Sequence, residues 1–377
     1  MSLVMTLASR NLFHDWLRFI ATLVGIVFSV VLVMVQMGLF LGFGRMVTTM
    51  IDHANADLWV VPKSAKSFED PSLLDLKLRD KVASVDGVAS AVPLVIGFSD
   101  WRLDTGEMTP VFIVGADPKA GVLQPWNVVE GDVREFAQFG GVAVDRTYFD
   151  RLGIKGLGAT AEIRGRRVKV VALTDGIRSF TTTPYVFVDL KNARLYTGTP
   201  PNRASSLMIR LKPDADRAKA IDAIRDHVGD AEVLTSNEFR SRSRSFWLFG
   251  TGAGAALFAG ALLGVIVGTV IVAQTLYSST KDHLSEFATL RAMGSSNSYI
   301  YNVIIYQALL NAVFGFVLAS AIGYVVVQMT AKSALPIVIT PWLVAALLAL
   351  TIVMCVSSGI VAIIRVVRID PASVFMR

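Results

Sequence analysis

Four stretches of this chain are long, apolar and free of ionisable side chains, and this constrains its fold more than any other feature. An uncharged run of about 20 residues crosses a hydrocarbon core roughly 30 Å thick. The first run is Phe19–Gly44, "FIATLVGIVFSVVLVMVQMGLFLGFG", longer than a signal-peptide core and without a small-residue cleavage site after it, so a retained span is expected. The second, Phe246–Thr280, would be a helix of about 50 Å, which exceeds the bilayer and predicts a projection beyond it at its start. The third is Tyr299–Thr330, and the fourth, after Pro336 and Pro341, is Trp342–Ile364. These runs explain a mean hydropathy of +0.54, unusual for a water-soluble chain of 377 residues.

The intervening residues 46–245 read as a water-soluble domain. The expected order is residues 1–45 as N-terminus and first span, 46–245 as the domain, and 246–280 as the second span. A loop at 281–298, a third span at 299–330, a short loop at 331–341, a fourth span at 342–364 and a tail at 365–377 follow. The fold class is a membrane α-helical protein of four transmembrane helices with a large α+β extracytoplasmic domain inserted between helices 1 and 2. Arg10, Arg18, Lys281, Arg291, Arg365, Arg368 and Arg377 fall on one side of these spans, which by the positive-inside rule places both termini in the cytoplasm. The net charge of +6 is then a topology signal, because no basic block with interleaved aromatics suggests nucleic acid.

Within the domain, strand-type runs occur at 57–61, 109–117, 166–173, 184–190 and 206–211, and helix-type patterns at 73–85 and 214–228. No G-x-S-x-G or H-E-x-x-H occurs, the four histidines are scattered, and the single Cys355 lies in an apolar run. The domain is therefore expected to bind or assemble, with no catalytic and no metal residues.

Gly252, Ala256, Gly260, Gly264 and Gly268 follow one another at intervals of four, which lets another backbone approach one face of the second span. The approaching helix could belong to the same chain. Four helices make a thin protomer for a transport path, however, and no inverted repeat supplies one, so a seam between two chains is favoured. Arg240, Arg242 and Arg244 precede this span. They could contact lipid headgroup phosphates or an anionic substrate, although such residues more often anchor a linker at the interface.

The spans hold no Asp, Glu, His, Lys or Arg to carry a coupling ion, and the chain has no G-x-x-x-x-G-K-[ST] to hold a nucleotide. If ATP drives it, the ATPase is another chain, and this one is not an enzyme. In 281–294, Leu284, Phe287, Leu290 and Met293 recur every three residues. Lys281, Asp282, Ser285 and Glu286 are left to solvent, and Gly294 stands where a helix ends. Mixed charge argues for docking on a protein rather than lying on lipid.

The block "SEFATLRAMGSSNSYI" resembles the E-[FY]-[AG]-x-L-[RK]-A-[ML]-G segment of MacB/FtsX-like ABC transporter permeases. "VVRIDPASVFMR", with Pro371 and Arg377, is similar to that family's ending, and "LASRNLFHDWLRFIATLVGI" to its first helix. "ANADLWVVPKSAKSF", "FIVGADP" and "VLTSNEF" resemble its periplasmic domain, closest to the DevC-like branch. The resemblance implies a permease in the bacterial inner membrane, in which Glu286, Phe287, Leu290, Arg291 and Gly294 couple to the ATPase. The implied partners are two copies of a P-loop ABC ATPase that carry ATP and Mg, and a second permease chain in a homodimer. A periplasmic membrane-fusion adaptor, an outer-membrane channel and membrane lipid complete the set. The implied activity is ATP-driven export of a lipid-like or amphipathic molecule by mechanotransmission. The alternative is an FtsX-like regulator that moves a periplasmic partner such as a cell-wall hydrolase, and a third reading is a membrane enzyme or receptor without an ATPase.

Overall fold

The computed structural model describes residues 14–103, 105–137, 140–282, 297–330 and 336–367. The chain divides into two compact units, one from Met1–Gly42 with Ala253–Arg377 and the other Phe43–Gly252.

In the first unit, helices Trp16–Met46, Ala253–Asp282, Asn297–Thr330 and Pro341–Val367 are, among the described residues, the four long and apolar enough to cross a membrane. In lipid a helix is the form in which such a run satisfies its own backbone, whatever its β-branched content. The fourth opens with proline at its first position, where no N–H is needed, and the Thr340 hydroxyl accepts from the Leu343 N–H at 3.3 Å. Close approach depends on small residues. A Cβ on Gly25 would lie 2.4 Å from Ile271, one on Gly315 2.4 Å from Ile26, and one on Gly323 2.2 Å from Met34. The Ser29 hydroxyl donates to the Gly264 carbonyl at 2.6 Å, and that of Ser358 to the Thr269 carbonyl at 3.0 Å, so side-chain polarity joins the helices where apolar burial cannot.

The second span begins later than its hydropathy predicts. Phe246–Gly250 forms a π-helical turn, Gly252 takes φ 77°, and the regular helix starts at Ala253. Aromatic and leucine side chains keep the hydropathy high through the turn, while the left-handed glycine ends one helix and permits a new one.

The second unit is built on strands β1 (Leu58–Pro62), β2 (Leu74–Asp75), β3 (Val88–Arg102), β4 (Met108–Ala116), β5 (Val128–Gly131) and β6 (Gly141–Asp145). The others are β7 (Thr160–Ile163), β8 (Arg166–Thr174), β9 (Tyr185–Asp189), β10 (Arg203–Ala204), β11 (Ser206–Leu211) and β12 (Ala231–Thr235). The main sheet runs β12-β1-β11-β3-β4-β9-β6-β8-β5, with β7 pairing β3 and β8. β4 with β9 and β6 with β8 are parallel, and the other pairs of the main sheet are antiparallel. The runs predicted as strands are β1, β4, β8, β9 and β11, and the helical patterns settle as Lys77–Ala83 and Arg217–Val228.

Every residue of β1 is buried, because the sheet is covered on both sides. Leu58 and Val60 enter one core with Leu207, Ile209 and Ile224, whereas Trp59 and Val61 enter the opposite core with Phe68, Phe112 and Phe239. β3, the longest strand, has no counterpart among the predicted runs. Its Pro93 and Gly97 read as breakers, yet its first half pairs with β11 and its second with β4.

Candidate functional site

The residues expected to couple to an ATPase, Leu284, Glu286, Phe287, Leu290, Arg291, Met293 and Gly294, lie outside the described residues. The residue that leads into them does not. Asp282, the last of the second span, forms an ion pair with Arg18 at the start of the first span, and Arg18 also reaches Asp15 at 3.3 Å. The pair ties one end of the second span to the first, immediately before residue 283.

The small-residue series of the second span packs inside the chain. Gly264 faces Leu32 and Val33, Gly268 faces Ser29 and Met354, and Gly260 faces Gln36. Ala256 is exposed, and Gly252 stands before the helix in open space. The five do not share one environment within the chain. Gly264 and Gly268 are buried in the protomer's own contacts, and a left-handed residue ahead of the helix cannot share its face. The spacing of four marks a face that Gly260, Gly264 and Gly268 use for contacts inside the chain, and spacing carries no information about which helix approaches.

In the second unit, helix Ser236–Ser245 follows β12 and leads through the π turn toward the second span. Its start is a capping box: the Thr235 hydroxyl accepts from the Glu238 N–H, and the Glu238 carboxylate accepts from the Thr235 N–H at 2.7 Å. The Thr235 N–H, together with the Thr235 hydroxyl that donates to the same carboxylate at 2.9 Å, holds the Glu238 carboxyl below its ordinary range. Phe239 anchors the helix against Trp59 and Phe68, with ring centroids 5.2 and 6.5 Å away, and the Phe68 N–H donates to the Ser243 hydroxyl.

The three arginines of this stalk each have a partner within the unit. Arg240 bonds Asp52 and Asn237, and the Arg244 Nε donates to the Gly44 carbonyl at 3.2 Å. Gly44 lies at the end of helix Trp16–Met46 and Asp52 just after it, so residues four apart on one helix face join the two connections of the domain. Arg242, displaced from that face, makes a bidentate pair with Glu232. These are the contacts of a structural clamp. Each ion pair is partly exposed and contributes no more than about 1 kcal/mol of stability. Their effect is to fix direction.

Below the clamp in sequence, Trp247 of the π turn donates its indole N–H to Glu69 at 3.0 Å. Its ring meets Phe180, whose own ring meets Phe43, at centroid distances of 4.7 and 5.3 Å. Glu69 is 7% exposed. Burial pushes its carboxyl up to about 7, against the lowering effect of bonds from its own backbone, Trp247 and Ser67. Burial, with the Glu69 charge behind it, drives the Tyr185 hydroxyl well above its ordinary range. Sequence reasoning passed over Glu69, since nothing in "SFEDPSL" distinguishes a buried acid from the turn-forming Asp70 beside it. Arg18–Asp282 was equally unmarked.

Comparison with known proteins gives two family matches. Residues 19–227 match the MacB-like periplasmic core domain, and residues 248–371 match the FtsX-like permease C-terminal. Two relatives from Mycobacterium tuberculosis strains, each named an uncharacterized ABC transporter permease, are 27% identical over 372 residues, covering 95% of this chain and 95% of each relative. Among solved structures, the periplasmic region of MacB from Actinobacillus actinomycetemcomitans is similar at 11% identity and a TM-score of 0.38, over 51% of this chain and 94% of that one. The extracellular domain of the noncanonic ABC-type transporter YknZ from Gram-positive bacteria is similar at 16% identity and a TM-score of 0.36, over 48% of this chain and 99% of that one.

Proposed function

The chain belongs to the ABC transporter permeases that join a MacB-like periplasmic core domain to an FtsX-like C-terminal region, and on that premise we propose that it converts ATPase motion into movement of its large domain. The family implies a separate ATPase as partner and a second permease chain. In our reading two P-loop ATPases carry the ATP and Mg and grip the segment around Phe287 and Leu290. The termini lie in the cytoplasm and the domain lies outside the inner membrane.

The observation that carries this reading is the course of one element. Helix Ala253–Asp282 begins directly after the glycine that ends the domain's stalk and finishes, pinned by Arg18, directly before the coupling block. A rigid rod with a joint at one end and a docking segment at the other is suited to pass on displacement. The clamp of Arg240 and Arg244 would pass it to both connections of the domain together. The cargo in this proposal is a lipid-like or amphipathic molecule, handed to a membrane-fusion adaptor and an outer-membrane channel, as the resemblance to DevC-like permeases implies.

The test is co-purification of the full chain with its ATPase. The wild type should retain a P-loop ATPase, and Phe287→Asp with Leu290→Asp should lose it while Lys281→Ala does not. Retention by the double variant would overturn the coupling role. A co-purified cell-wall hydrolase in place of an adaptor would replace export with regulation of a periplasmic enzyme.

A further inference from the structure

The loop after β1 and the stalk helix line an open cleft of about 730 Å³ within the second unit, bordered by Lys63, Ser64, Lys66, Glu232, Arg242, Ser245 and Phe246. Its charges are unevenly matched. Glu232 is taken up through both oxygens by Arg242, which also reaches the Ala65 carbonyl. Asp70, the other acid nearby, accepts the backbone N–H groups of Lys66 and Ser72 and is held in the loop. Lys63 and Lys66 are exposed and form no ion pair with a described residue. The Lys66 ammonium stands 5.8 Å from the centroid of the Phe246 ring. The lining thus holds two lysines that no lining acid pairs, with the Asp70 carboxylate near enough to feel the charge of Lys66, adds the hydroxyls of Ser64 and Ser245, and has a half-buried aromatic ring beside them.

We propose that this cleft binds a phosphate-type oxyanion, with Lys63 and Lys66 taking its charge and Phe246 lying against the apolar group attached to it. Ammonium groups suit an anion whose oxygens are arranged around a point, because each offers rotatable donors and not a fixed fork. The bidentate Arg242–Glu232 pair holds the stalk side of the cleft in place without consuming either lysine. Such an anion could be the headgroup of a membrane lipid or a soluble phosphate ester. Phe246 begins the turn that runs into the second span, so the aromatic side of the cleft is continuous in sequence with the membrane-spanning segment.

Native mass spectrometry of the purified full chain tests this without any ATPase, so its outcome is independent of the proposed transport cycle. The probes are phosphatidylglycerol, phosphatidylcholine and inorganic phosphate. Retention of phosphatidylglycerol over phosphatidylcholine is expected. Lys63→Ala with Lys66→Ala should weaken it about 30-fold, roughly fivefold for each ammonium. Ser245→Glu, which sets a carboxylate in the cleft, should weaken it as well, whereas Lys77→Ala with Lys81→Ala should leave it unchanged. Lysine-dependent binding of phosphatidylglycerol that millimolar phosphate does not displace identifies a lipid. Lysine-dependent binding of phosphate with ready displacement of the lipid identifies a soluble ester. Equal retention by wild type and both cleft variants, or lysine-dependent binding of polyglutamate with neither phosphate probe bound, overturns the proposal.

Discussion

Glu69 should make the stability of the second unit fall as pH rises through neutrality. Its carboxyl is pushed up to about 7 in the folded chain, against 4.5 for an unperturbed glutamate. At 1.36 kcal/mol per pH unit that gap is worth about 3 kcal/mol. The sign follows from which state holds the proton more tightly, and here it is the folded one. The contribution is fully present below pH 4.5, is lost progressively up to pH 7, and stays lost above it. For a domain of this size about 3 kcal/mol corresponds to roughly 6–12 °C in midpoint. The assay is thermal unfolding of the full chain in nanodiscs, followed by tryptophan fluorescence at pH 5 and pH 8 at one scan rate. Glu69→Gln keeps an oxygen for the Trp247 indole and carries no charge. At pH 8 the variant should therefore unfold 6–12 °C above the wild type, and at pH 5 the two should agree within about 3 °C. The difference between the two proteins removes the titration of every other group. Parallel pH profiles, or a variant less stable than the wild type at pH 8, would refute the argument that burial of the charge is what costs stability.

Gly268→Val should destabilise the membrane bundle by about 1–3 kcal/mol, because its Cβ would fall 2.3 Å from the Ser29 hydroxyl, while Ala256→Val on the exposed face should change little. Thermal unfolding in nanodiscs reads both, and equal effects would place the packing face elsewhere. Gly252→Asn should be tolerated and Gly252→Val should cost about 1–2 kcal/mol, since φ is 77° and no neighbour lies within 4 Å of the added carbon. A steric origin would instead make the two similar, and the same unfolding midpoints decide.

Sequence could show the spans because their signal is local: a bilayer demands a minimum length of uncharged chain, and each run supplies it independently. Strands β4, β8 and β9 were legible for a similar reason, as β-branched runs between turns. The clamp of the stalk was not legible, because each of its contacts is made between residues distant in the chain. Arg240 and Arg244 find Asp52 and Gly44 across separations of 188 and 200 residues, and Glu69 meets Trp247 across 178. The triplet "RSRSR" nevertheless holds the decisive geometry. On a helix, positions four apart share a face and the one between them points away, so the outer two arginines must serve one surface and Arg242 another. Lysines on a loop are not bound by that periodicity, and it is Lys63 and Lys66, on the loop after β1, that line one cleft with Phe246.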